Sequence, residues 1–223
     1  MGLDSVELIL AVEDAFQIHI SDEEAGEVCT IGDIHRLVVS KIQWQDSKGC
    51  LTSAAFHRTR RGIVSALGID RREIRPSTLL EAILPRKTRC EKWRQLQRTM
   101  KLRMPNLRLP LWIFLGFLVS VIALAMVPAL HHGANFVWVP LWFFAGLKLA
   151  PRFAVAFPKR DATVGDLARD VLALNYGLLA SENITWNESG VWEAVCRIVV
   201  LETGVAREKV KPEARVCDDL GID

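Results

Sequence analysis

The longest apolar stretch of the chain runs from residue 109 to residue 130. It reads LPLWIFLGFLVSVIALAMVPAL, 22 residues without a charged side chain. A helix of that length matches the roughly 30 Å thickness of the hydrocarbon core of a bilayer. A buried core helix is the ordinary alternative, but such a helix usually has a polar stripe. The pattern therefore predicts a transmembrane helix.

A second apolar stretch covers residues 133–147 and ends at Lys148, which is short for a full crossing. Residues 86–103 contain eight basic side chains and one acid, and further basic residues follow the second stretch. Basic flanks on both sides predict a hairpin over 106–152 with both chain ends in the cytoplasm. A location in the inner (cytoplasmic) membrane, with membrane lipids as partners, is expected; whether the second stretch crosses stays open.

Outside these stretches the apolar residues recur with helical spacing. The head of the chain predicts two helices and the tail one, the last capped by Ser189 and ended by Gly204. A polar turn, SDEEAGEV, separates the two head helices, and Thr30 or Asp33 caps the second. Two short helices cannot bury a core alone, so the tail helix is expected to pack on the head. The predicted inward residues are Val6, Leu8, Ile9, Leu10, Val12, Phe16, Ile34, Leu37, Val38, Ile42, Val191, Val195, Ile198 and Val199.

The chain also repeats itself, which is a sign of related structural units. Residues 67–85 (LGIDRREIRPSTLLEAILP) match 203–221 (TGVAREKVKPEARVCDDLG), and 163–173 (TVGDLARDVLA) match 30–40 (TIGDIHRLVVS). Each of these elements therefore occurs twice, in a different order along the chain.

Charge and cysteine content narrow the possible functions. The first 33 residues contain nine carboxylates and no Lys or Arg, whereas the whole chain has a net charge of only +2. An acidic head suits a cationic partner. The five cysteines are widely spaced and form no C-x-x-C, so neither a disulfide framework nor a metal site is indicated. Nucleic acid is not expected as a partner, because the basic cluster directly precedes the apolar segment.

The head, GLDSVELILAVEDAFQIHISDEEAGEVCTIGDIHRLVVSKI, resembles the second to fourth helices of an acyl carrier protein. Asp4-Ser5-Val6 is similar to the Asp-Ser-Leu motif, whose serine carries 4'-phosphopantetheine in that family. Residues 191–223 resemble the first helix and long loop of the same family and end in LGID, the sequence that precedes the serine. Tail followed by head would make one complete carrier domain.

This resemblance implies an all-α fold with five parts. The carrier helices II to IV would span 1–44, and helix I with its loop would span 187–223. A degenerate second carrier-like bundle would comprise helix I, its loop and a basic juxtamembrane segment at 52–105 and a last helix at 160–178, with the transmembrane hairpin at 106–152 in place of its second helix. Circular permutation explains the half motifs at the two ends; a start codon assigned too late in the gene is the alternative.

By resemblance, Ser5 would carry the covalent 4'-phosphopantetheine, with Asp4 as its motif neighbour. A phosphopantetheinyl transferase would load Ser5, which must be exposed, and acyl-transfer or synthase enzymes of lipid or polyketide-type pathways would use the bound acyl groups. The acids Glu7, Glu13 and Asp14 could steer toward basic patches on these enzymes.

The carrier itself would not be an enzyme: Ser5 has no histidine in sequence range, and no H-x-x-x-x-D pair of an acyltransferase occurs. The alternative is an unloaded structural membrane adaptor that keeps the carrier fold as an interaction module, with Ser5 only a helix cap.

Overall fold

A computed structural model of the chain describes residues 3–42, 50–108, 115–123, 156–157, 162–183, 186–217 and 219. Within these ranges the regular elements are helices, joined by isolated β-bridges, so the predicted all-α class is confirmed. The helices are α1 (Leu3–Phe16), α2 (Asp22–Gly26), α3 (Ile31–Lys41), α4 (Leu51–Leu67), α5 (Leu80–Ile83), α6 (Arg89–Met100), α7 (Val164–Leu174), α8 (Tyr176–Asn183) and α9 (Glu188–Thr203). Residues 115–123 are also helical, and Arg207–Lys209 forms a 3-10 turn.

Helices from the two ends of the chain share one hydrophobic core. We call α1, α2, α3, α9 and the segment 204–217 the first bundle. Val12, Ile34 and Val195, from three of these helices, are fully buried together. Each helix is too short to be stable by itself, so burial of its apolar face against the others holds it in place.

The inward face of α1 differs from the prediction. Val6 and Leu10, both predicted to face inward, are 42% and 53% exposed, whereas Leu8 is 1% exposed, as predicted. The first three turns of α1 are apolar on most sides, so the sequence permits more than one inward face. Packing against α9 selects the face that contains Leu8 and Val12.

The helix ends follow capping chemistry that the sequence revealed only in part. The predicted turn SDEEAGEV contains α2, which Ser21 and Glu24 cap reciprocally. Asn187, not Ser189, is the N-cap of α9: its side chain accepts a hydrogen bond from the backbone N–H of Ser189. Gly204 ends α9 as predicted, with a left-handed φ of 75°.

The tail is fastened to α3 by main-chain hydrogen bonds. The backbone N–H of Ile31 donates to Ala214 O (3.1 Å), and that of Gly32 donates to Pro212 O (2.9 Å). A Cβ at position 32 would lie 2.8 Å from Pro212 O, so a glycine is needed for this approach. We call this contact the seam of the first bundle.

The second half of the molecule forms its own core. We call α4, α5, α6, α7 and the loop 68–79 the second bundle; Ile63, Leu96 and Leu167 are at most 1% exposed in it. The basic stretch 86–103, predicted to be a juxtamembrane anchor, contributes α6, which packs on α4 through its buried apolar side. After the short α5, the next helix that packs into this bundle is therefore α6. The prediction that the apolar segment takes the place of the second carrier-like helix concerns residues that lie mostly outside the described ranges.

The second bundle repeats the seam of the first. The backbone N–H of Gly165 donates to Pro76 O at 2.9 Å, as that of Gly32 does to Pro212 O. Thr163 and Asp166 form a capping box at the start of α7, as Thr30 and Asp33 do at the start of α3. The two pairs of matching sequence segments thus adopt matching local structures.

The two bundles pack on each other through α9 and α7 and through α8. Arg197 of α9 pairs with Asp170 of α7, and both side chains are mostly buried. On the other side, the ring of Tyr176 at the start of α8 contacts Phe16 at the end of α1, with centroids 5.4 Å apart. Gly177 permits this contact, because a Cβ there would lie 2.2 Å from Phe16 O.

The predicted membrane location is contradicted. In the described parts of the chain, none of the helices combines the length and apolar character that a bilayer crossing requires. Of the predicted hairpin at 106–152, the structure describes 106–108 and 115–123, and the second apolar stretch lies outside the described residues.

Candidate attachment and docking site on helix α1

Ser5 is the third residue of α1 and lies on the side of the helix that faces the core. It stands one turn before Leu8 and Ile9, both of which are buried. Ser5 itself is 2% exposed. The expectation of an exposed serine at a helix tip is therefore not met, because the helix begins at Leu3 and its periodicity turns position 5 inward.

Asp4, the predicted motif neighbour, lies beside Ser5 in the first turn of α1. Because α1 already includes Leu3 and Asp4, Ser5 is inside the helix and is not its N-cap. The capping function considered for Ser5 is therefore not found either.

The three acids predicted to bind partners have different surroundings. Glu7 is exposed. One carboxylate oxygen of Glu13 instead accepts a hydrogen bond from the backbone N–H of Ile20 (2.6 Å) and lies 3.0 Å from Nδ1 of His19. Glu13 thus holds the chain between α1 and α2, and its side chain is only 16% exposed.

Asp14 is exposed but already has a cationic partner within the chain. Its Oδ2 lies 2.9 Å from a guanidinium nitrogen of Arg103, in the segment after α6. The main chain of Arg103 exchanges two hydrogen bonds with the side chain of Asn175, at 2.8 and 2.9 Å. The second bundle therefore places a fixed arginine at one end of the acidic side of α1.

The solvent-facing side of α1 combines acids with apolar residues. Val6, Glu7, Leu10 and Asp14 are exposed and follow one another at helical spacing; we call them the outer stripe of α1. Two exposed aliphatic side chains beside two carboxylates suit a partner that offers both basic and apolar groups.

A polar cavity of about 570 Å³ opens between the segment after α6 and the end of α9. Arg103, Arg108 and Glu202 line it, and the guanidinium of Arg108 donates to Val200 O and Leu201 O at 3.4 and 3.5 Å. Burial raises the pKa of Glu202, although Arg103 nearby opposes this shift. Glu202 lies far in sequence from the two arginines, and no local motif indicated that they would meet.

The ionisable groups buried or bonded in the first bundle stabilise the fold and show no feature of a reactive centre. Burial alone would raise the pKa of Asp33, but hydrogen bonds from Thr30, Arg36 and Cys29 outweigh it and lower the pKa to about 2. Burial raises the pKa of the Cys196 thiol to about 11, which makes it a poor nucleophile. In the part of the chain that the structure describes, no three His, Cys, Asp or Glu side chains are grouped as a metal site.

Part of this chain is similar to acyl carrier proteins. It is 50% identical over 37 residues to the acyl carrier protein of Wolinella succinogenes, a match that covers 17% of this chain and 49% of that protein. It is 46% identical over 40 residues to the acyl carrier protein of Prochlorococcus marinus, covering 18% of this chain and 50% of that protein. The chain therefore contains an acyl-carrier-protein-like region, and it spans about half the length of the curated relatives it matches.

No protein-family model matches the chain, and no solved structure matches it.

Proposed function

We propose that this chain is an acyl carrier whose first bundle is a circularly permuted carrier domain. A phosphopantetheinyl transferase would attach 4'-phosphopantetheine to Ser5, and the arm would hold acyl groups as thioesters for acyl-transfer or synthase enzymes of lipid or polyketide-type pathways. The observation that carries this proposal is the common core of α1, α3 and α9, in which the segments that resemble two parts of a carrier domain pack together. The acyl-carrier-protein-like region supports it.

The described conformation does not fit the arm at Ser5. A phosphate ester on the serine hydroxyl needs open space, and Ser5 is 2% exposed. The first turn of α1 must therefore move away from the core before a transferase can reach this hydroxyl. First turns of helices open at low free-energy cost compared with the rest of a fold, so this movement is physically accessible.

The burial of Ser5 favours a second candidate function. In it, the first bundle is never loaded and serves as an interaction module whose docking surface is the outer stripe of α1. Ser5 would then have a structural role, and the bundle would bind its partners through Glu7, Asp14 and the two exposed aliphatic residues.

The deciding experiment is intact mass spectrometry of the purified chain after incubation with coenzyme A and a broad-specificity phosphopantetheinyl transferase. The carrier proposal expects one phosphopantetheine on the wild type and none on Ser5→Ala. Ser40→Ala is the matched control, because Ser40 is an exposed serine on α3, and it should be loaded like the wild type.

Repeating the loading assay in urea would distinguish a Ser5 that is only inaccessible in the folded bundle from a Ser5 that the transferase does not recognise. Because Ser5 is buried, loading is expected to accelerate at urea concentrations just below the unfolding transition, where first turns fray. A folded wild type that accepts no arm with or without urea would overturn the carrier proposal and leave the interaction module.

The predicted docking acids can be separated in the same assay. Glu7→Gln should slow the transferase, because Glu7 is an exposed member of the outer stripe. Glu13→Gln should mainly reduce stability, because Glu13 is bonded to Ile20. Equal rates for Glu7→Gln and the wild type would remove Glu7 from the docking surface.

A further inference from the structure

In the first bundle, two arginines hold one carboxylate. Glu193 of α9 accepts hydrogen bonds from Arg197 (3.2 Å) and from Arg207 in the following turn (3.1 Å), one to each carboxylate oxygen. Arg197 also pairs with Asp170. A carboxylate thus connects the middle of α9 to the segment beyond its C-terminal glycine.

The second bundle has the same two arginines without the carboxylate. Gly68 and Gly204 end α4 and α9 in the same left-handed conformation, and each donates its N–H to the valine four residues earlier, Val64 or Val200. Counted from these glycines, Arg61 and Arg71 correspond to Arg197 and Arg207. Glu193 corresponds to His57.

These residues surround a cavity of about 270 Å³ on the surface of the second bundle. Its lining comprises His57, Arg60, Arg61, Val64, Ser65 and Arg71. Within the described parts of the chain, no carboxylate pairs with Arg61 or Arg71, and the lining contains no acid.

The groups next to the cavity do not supply an anion for its arginines. Arg60 donates to Nδ1 of His57 at 3.0 Å and lies over the ring of Phe56, 5.3 Å from its centroid. The nearest acid in sequence, Asp70, uses its carboxylate to accept the backbone N–H of Arg72. Three arginine side chains line this small concavity, and their positive charges repel one another unless an anion lies between them.

We propose that this cavity binds the phosphoryl group of a small, soluble phosphorylated ligand. Guanidinium forks match phosphate oxygens in geometry, and a phosphate dianion balances more positive charge than the one carboxylate of Glu193. The hydroxyl of Ser65 adds a donor on the exposed side. The site is independent of Ser5 and of the carrier proposal.

The test is isothermal titration calorimetry of the full chain with inorganic phosphate and with glycerol 3-phosphate, in a non-phosphate buffer at constant ionic strength. Saturable binding is expected, and Arg61→Gln and Arg71→Gln should each weaken it about tenfold or more. Arg72→Gln is the matched control: Arg72 is exposed beside Arg71 but outside the lining, so it should change the affinity less than about twofold.

A second variant tests the correspondence with the first bundle. His57→Glu places a carboxylate where Glu193 stands, so it should pair with Arg61 and Arg71, lower phosphate affinity about tenfold or more, and keep or raise the melting temperature. His57→Gln, which adds no charge, should retain most of the binding.

Several results would overturn the proposal. They are the absence of saturable binding to a folded wild type, an equal loss of affinity in Arg72→Gln, and tighter binding of malonate than of phosphate. Vesicles with phosphatidic acid separate the two sources of a phosphate group: binding to vesicles without binding to glycerol 3-phosphate would overturn the soluble ligand.

Discussion

The two bundles have the same backbone seam and opposite surface charge. In each, a glycine near the start of a helix donates its N–H to the carbonyl of a loop proline, and a Thr–Asp capping box fixes that helix start. Residues 3–42 of the first bundle contain nine acids and two basic residues, whereas residues 50–108 of the second contain fifteen basic residues and four acids. Main-chain contacts and buried residues set the fold, and the surface charges are independent of it.

The two bundles also differ in the surroundings of a corresponding pair of arginines. In the first bundle Glu193 lies between Arg197 and Arg207, while in the second no carboxylate of the described residues pairs with Arg61 or Arg71. A side chain that completes an ion cluster stabilises a fold, whereas its absence leaves a place for a ligand.

The core of the second bundle should be as intolerant of truncation as that of the first. Leu96→Ala in α6 removes a side chain that is 0% exposed and should lower the free energy of unfolding by about 2–5 kcal/mol. Arg94→Ala, at an exposed position of the same helix, should cost less than about 0.5 kcal/mol. Urea unfolding followed by circular dichroism measures both, and equal stabilities would contradict a structural role for α6.

Breaking the seam should affect the two bundles equally. Gly32→Ala and Gly165→Ala each place a Cβ within 2.9 Å of a proline carbonyl oxygen, and each should cost about 1–3 kcal/mol. Gly26→Ala has nothing within 4 Å of its new Cβ and should leave stability unchanged or raise it by up to about 1 kcal/mol. Thermal unfolding of the three variants checks this, and a seam variant as stable as Gly26→Ala would contradict the close approach.

The Asp33 carboxylate in the capping box of α3 should make the free energy of unfolding depend on pH. Hydrogen bonds in the cap lower the pKa of Asp33 from 3.8 to about 2, and because solvent screens part of this effect it contributes at most about 2 kcal/mol to stability. Because the folded pKa is the lower one, this stability is present above pH 3.8 and is lost as the pH falls toward 2.

Asp33→Asn should remove that pH-dependent contribution, and its destabilisation should be smaller at pH 2 than at pH 6. Asp166→Asn tests the matching cap of the second bundle at pH 6, and exposed Asp22→Asn is the control. Urea titrations between pH 2 and pH 6 give the free energies; a penalty for Asp33→Asn that does not change with pH would contradict the shift.

The smallest effect is expected for an exposed ion pair between α1 and the segment after α6. Arg103 and Asp14 are 49% and 65% exposed, so a double-mutant cycle should give a coupling of about 0.2–1 kcal/mol. Arg197 and Asp170 are 14% and 17% exposed and should couple by about 1–3 kcal/mol. If the coupling between Arg103 and Asp14 were larger than that between Arg197 and Asp170, exposure to solvent would not determine the strength of these ion pairs.

Much of the local structure could be read from the sequence. Thr30 with Asp33, the glycine after α9 and the matching segments at 67–85 and 203–221 all indicated local features that the structure contains. These features depend on neighbouring residues, whose capping and turn chemistry is short-range.

The site was harder to predict, because its properties depend on which side of α1 faces the core. Leu8 and Leu10 are chemically identical, yet one is buried and the other exposed. The same choice of face buries Ser5 and leaves Glu7 in solvent. The hydrogen bonds of Glu13 to the following loop depend on that loop's path, which helical periodicity does not describe.

The sequence by itself determined the helical class, the capping motifs, the internal repeat and the acyl-carrier-protein-like region, since each rests on contiguous residues. Only the tertiary structure decided the inward side of α1, the packing of α6 as a core helix, and the ion pair of Arg103 with Asp14. Each depends on contacts between segments that are distant in the chain, because the segment that packs against a helix decides which of its side chains are buried and which charges are paired.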